Sequence, residues 1–166
     1  MKFLDYIKIK EPSEIDKKEM YRLYSEVFKT HFPITNKDHI MTSILGRQEW
    51  TWRVVGITEE AIKTIIGDNY KSDTKRKLQR DHYYQDRNET YKQIFEKFHP
   101  YEDWWNKVWD NDRTILMTKS EHSLKKKIKI YDLDWKLGLF RANGIGFKYA
   151  QGREGFYIKE NYSLKV

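Results

Sequence analysis

The sequence contains no cysteine, which excludes a disulfide framework, thiolate catalysis and any Cys-ligated zinc ribbon. A bound metal would have to rest on His, Asp, Glu or Asn. Proline is scarce: Pro12, Pro33 and Pro100 read as punctuation between elements, and no Ser/Pro-rich linker, repeat or low-complexity tract breaks the chain. Long apolar runs are also missing. No stretch approaches the roughly 18–20 residues needed to cross a bilayer, and the opening MKFLDYIKIKEPSE has no apolar core of signal-peptide length. These absences lead to the expectation of one cytoplasmic domain over residues 1–166 with no membrane partner.

Basic side chains are abundant. Lys and Arg number 32 against 25 Asp and Glu, for a formal charge of +7 and a pI near 9.3. Such an excess favours a polyanion through phosphate neutralisation, so nucleic acid is the expected partner. A well-solvated surface would explain the same balance without any partner.

Apolar spacing sets the expected elements. After Pro12, Ser13 can cap a helix with Met20, Leu23, Tyr24, Val27 and Phe28 on its buried face. A second helix follows Asn36, with Ile40, Met41, Ile44 and Leu45 inward and a stop near Gly46. The run Trp50–Val55, ending at Gly56, reads as a strand, after which Thr58 caps a helix with Ala61, Ile62, Ile65 and Ile66 inward. Two more helices carry Tyr91, Ile94, Phe95 and Phe98, then Trp104, Trp105, Val108 and Trp109. Their helical spacing predicts core packing rather than a stacking platform for bases. Residues 128–160 are expected to be β-rich, with a hairpin around Gln151-Gly152-Arg153. The fold class expected is α+β, with a helical part at about 13–70 and helices around a small sheet.

Two acid–histidine pairs stand out among the five histidines: Asp81-His82, after the short extended piece Leu78-Gln79-Arg80, and Glu121-His122, after the apolar strand Thr114–Met117. An adjacent acid and imidazole in a strand or bend point to different sides, one available to a metal and the other to a water. That suits phosphodiester hydrolysis, in which an imidazole deprotonates water and a divalent ion stabilises charge on the phosphate. The bland alternative is a surface dipeptide at Asp81-His82 and a helix-capping Glu121.

The apolar strand entering Met117-Thr118-Lys119-Ser120-Glu121-His122, preceded by Asp81-His82, resembles the cysteine-free HNH (His-Me finger) nucleases. The resemblance covers about residues 78–127 and implies a ββα metal finger there. It implies that Asp81 binds the metal, His82 is the general base and His122 completes the metal site. His82 and His122 are 40 positions apart, so the helices between them would be an insertion. Where the family places an Asn, this chain has Arg113, with Asn111 close enough to take the supporting role.

Basic residues flank both pairs, Lys71, Lys75, Arg76, Lys77 and Arg80 before the first and Lys119, Lys125, Lys126, Lys127 and Lys129 after the second. They suit the gripping of phosphates on either side of a cut. Other templates fit less well. There is no Walker loop, Gly144-Ile145-Gly146 lacks a third glycine, and Asp132-x-Asp134-x-Lys136 is too compressed for a PD-(D/E)xK core. The expected function is therefore a DNA endonuclease using one Mg²⁺ or Mn²⁺ per site, of restriction or homing type. It would act on double-stranded DNA, as a homodimer if its site is palindromic. The alternatives are a non-catalytic nucleic-acid-binding protein of phage or regulatory type, and an interaction protein with an acidic partner.

Overall fold

The computed structural model describes residues 8–83, 87–123, 128–140, 142–143, 146–147 and 151–165. The chain is α+β. In order its elements are α1 (Glu14–Lys29), α2 (Ile34–Leu45), β1 (Arg53–Thr58), α3 (Glu59–Gly67), β2 (Leu78–His82), α4 (Arg87–Glu96), α5 (Tyr101–Asn111), β3 (Arg113–Thr118), α6 (Lys119–His122), β4 (Ile130–Asp132), β5 (Ala142–Asn143), β6 (Gly146–Phe147) and α7 (Phe156–Tyr162). Short 3-10 turns occupy Ser72–Arg76 and Trp135–Leu137. The chain divides into two compact units, one of residues 10–52 and 82–113, the other of residues 1–9, 53–81 and 114–166.

The first of these units is helical, with α1, α2, α4 and α5 packed on one another. Helix α1 begins where Ser13 and Asp16 form a reciprocal capping box. Its Tyr24 is fully buried, stacks on Phe98 and Trp104, donates its hydroxyl to Ile94 O at 2.9 Å and accepts from His99 N at 3.1 Å. Trp104 and Trp105 are buried as their spacing predicts. The expected strand at Trp50–Val55 starts three residues later. Trp50 is held instead by the rings of Trp105 and Trp109, and Trp52 takes a left-handed φ of 56° in the turn that follows. Aromatic packing overrides the β preference of this run.

The other unit holds the sheet, of order β2-β3-β1-β4, except for the terminal residues His82 and Arg113. Strand β1 runs antiparallel to β4, pairing Gly56 with Asp132 and Thr58 with Ile130. Glycine suits position 56, because a Cβ there would lie 2.9 Å from Ile130 Cγ2 and 3.4 Å from Tyr131 O and would force the Ile130 side chain to shift. The starts of β1 and β3 meet where Thr114 Oγ1 donates to Arg53 O, and their ends meet where Thr58 Oγ1 donates to Glu121 just after Thr118, so they run parallel. Thr58 caps α3, whose Ala61, Ile62 and Ile65 join Val54, Leu78, Leu116 and Phe140 in the core.

The C-terminal expectation is corrected. Strand β4 and the short β5–β6 pairing exist, but Gln151–Gly155 is a π-helical turn that leads into α7, where a hairpin and strand were expected. Ile158 and Tyr162, four residues apart, lie on one helical face and bury in the core against α3. Buried Glu154 accepts from Phe140 N, which fixes the approach to that helix.

Candidate functional site

Strand β2 begins at Leu78 in the core and carries Asp81 at its far end. Lys119 N donates to Lys77 O at 3.0 Å, which sets β2 beside the chain leaving β3. That chain turns at once into α6, a single helical turn. Thr118 is its N-cap, and Thr118 and Glu121 form a capping box. The fold thereby brings together two of the residues expected at a metal site, with His122 Nε2 lying 3.6 Å from Asp81 Oδ2. Both side chains are open to solvent, His122 at 53% and Asp81 at 39% exposure. They form an ion pair when the imidazole is protonated, and a mixed oxygen–nitrogen donor pair when it is neutral.

The other expected site residues, His82, Asn111 and Arg113, belong to the helical unit. The His82 ring packs 4.5 Å from the ring of Trp52, and its Nε2 is sealed from solvent. Asn111 is buried and its Oδ1 accepts from Thr90 Oγ1 at 2.9 Å. Arg113 lies over the Tyr83 ring at 5.3 Å and 3.9 Å from Asp110.

The basic residues divide by environment. Lys71, Lys75, Arg76 and Lys119 are exposed and make no ion pair among the described residues. Lys77 is held by Asp68 at 2.6 Å and Lys129 by Glu59 at 2.7 Å, so their charge is already met. Arg80 is half-buried, and desolvation pulls its guanidinium down to about 10, still protonated at neutral pH. Lys125, Lys126 and Lys127 lie outside the described residues.

Glu121 does more than sequence inspection reveals. Besides capping α6 it accepts from Thr58 Oγ1 at 2.7 Å, joining the ends of β1 and β3. The bond spans 63 positions, and no local sequence signal announces it.

Among the described residues, no third His, Asp or Glu joins Asp81 and His122 in a group of metal-binding size. No protein-family model matches the chain, and no curated protein or solved structure shows significant similarity to it.

Proposed function

We propose that the chain is a divalent-cation-dependent phosphodiesterase acting on nucleic acid, with Asp81 and His122 as its cation ligands. The observation that supports this reading is their 3.6 Å approach, since they lie far apart in sequence and reach each other only through the order β2, β3, α6. The donor set fits. Two ligands on one octahedral ion lie about 3 Å apart, and a carboxylate with an imidazole suits Mn²⁺, while Mg²⁺ takes fewer protein donors and completes its shell with water and phosphate. When bound, such an ion stabilises charge on the phosphate and leaving oxygen and acidifies the attacking water.

The chain's own residues bind and orient. Asp81 and His122 fix the centre, and exposed Lys71, Lys75, Arg76 and Lys119 of the same unit hold phosphates without reading bases. Double-stranded DNA is the proposed substrate, and a restriction or homing role with paired chains would suit it. The general-base role expected for His82 comes from the adjacent acid and imidazole and from the family resemblance. Its sealed Nε2 favours a packing role, and the proposal leaves His82 out of the chemistry.

A second reading, a basic nucleic-acid-binding protein without catalysis, is favoured by the donor count of two. Incubation of the purified chain with supercoiled plasmid and Mg²⁺ or Mn²⁺ separates them. Nicking that needs the ion and is lost in Asp81→Asn and His122→Ala supports the phosphodiesterase. Plasmid binding without nicking supports the second reading.

A further inference from the structure

We infer that Glu121 is a positioning residue that aims His122 at Asp81, an inference that rests on the reading of those two side chains as a cation site. Helix α6 is only four residues long and has no stability of its own, because a single turn meets the full cost of helix nucleation. The direction of His122 therefore depends on whatever pins this turn.

Two attachments are visible. Lys119 N bonds Lys77 O on the β2 side. On the other side three donors converge on one oxygen of Glu121: Thr118 N at 2.8 Å, Thr118 Oγ1 at 2.9 Å and Thr58 Oγ1 at 2.7 Å. A capping box needs only the first of these. The bond from Thr58 turns a local cap into a tie between neighbouring strands, because the Thr58 hydroxyl also accepts Ala61 N at 3.1 Å and so caps α3. The tie is shielded from water, with Thr58 fully buried and Glu121 at 7% exposure, and bonds to a charged acceptor there are short and strong. Adjacent helical residues project about 100° apart, so anchoring Glu121 inward turns His122 outward. No other side chain of α6 reaches the core, since Lys119 and Ser120 are exposed.

The test uses the full chain and two readouts. The first is the displacement of the His122 Cε1–H NMR signal caused by Asp81→Asn, which reports the approach of the two side chains without any metal. The second is Mn²⁺ affinity measured by water-proton relaxation. Against wild type, Glu121→Ala and Thr58→Val are expected to cut the Asp81→Asn displacement at least threefold and to weaken Mn²⁺ binding about tenfold, the lower end of the range for groups that orient metal ligands. Glu121→Gln and Thr58→Ser, which keep an acceptor and a hydroxyl, are expected to restore most of both. If Glu121→Ala does not fold, Thr58→Val carries the test, because it leaves the α6 capping box intact. An undiminished displacement in a folded Thr58→Val chain overturns the inference, as does loss of the response in Thr58→Ser to the same extent as in Thr58→Val. Wild-type chain that binds no Mn²⁺ but shows a Glu121-dependent displacement overturns the cation reading and leaves the positioning role standing.

Discussion

The imidazole of His82 rests 4.5 Å from the indole of Trp52, and its Nε2 is closed to solvent. A packing role leads to a definite expectation. His82→Phe keeps an aromatic ring against Trp52 and should change stability by no more than about 1.5 kcal/mol in urea unfolding. Any cation-dependent nicking should persist within a few-fold. A loss of about 10²-fold or more in a folded variant, the usual size of a lost general base, would return His82 to the chemistry.

Tyr24 offers a test of the helical unit. Its hydroxyl bridges Ile94 O and His99 N within a buried ring cluster. Tyr24→Phe should destabilise by about 1–3 kcal/mol, because it strands a buried acceptor at Ile94 O and a part-buried donor at His99 N. Tyr24→Ala should cost more, about 3–5 kcal/mol, by leaving a cavity among Phe98, Trp104 and Phe95.

Gly56 tests the β1–β4 register. Alanine would place its Cβ 2.9 Å from Ile130 Cγ2, so the strands must part or Ile130 must turn outward. Gly56→Ala should destabilise by about 1–2 kcal/mol despite the usual gain of alanine over glycine in a strand. Calorimetry should show a Tm several degrees lower, at roughly 2–4 °C per kcal/mol for a chain of this size. A raised Tm would contradict the observed register.

Acid sensitivity should trace in part to Glu59. Hydrogen bonds from Lys129 and Lys63 hold its carboxyl down at about 2, from an ordinary value of 4.5. A folded-state value below the unfolded one contributes stability that is present above pH 4.5 and is lost as pH falls toward 2. Glu59→Gln should therefore flatten the fall in stability over that window and leave its shape unchanged near neutrality. Because the group and its lysine partners keep contact with solvent, added salt should shrink the difference between the two chains.

How much of this was legible in the sequence varies by element. Helices α1 and α3 could be read because Ser13 and Thr58 announce their starts and one apolar face follows each. The run at Trp50–Trp52 misleads because its β-favouring residues are claimed by rings from α5, a partner far along the chain. Phe156-Tyr157-Ile158 misleads in the same way. Locally it suits a strand, and only the burial of Ile158 with Tyr162 against α3 makes it a helix. At the candidate site the residue types were readable, as was Glu121 at a helix start, while the structure identifies Thr118 as the cap. The bond from Thr58 to Glu121 spans 63 positions, and the sealing of His82 depends on a turn at Trp52. Both are tertiary facts with no local signature.

The most direct test of the Asp81–His122 centre is a Mn²⁺ titration of the five histidine ring signals by NMR. Paramagnetic broadening should strike His122 first and should disappear from it in Asp81→Asn. Uniform broadening of all five, or broadening of His122 unchanged by Asp81→Asn, would contradict a cation held between these two side chains.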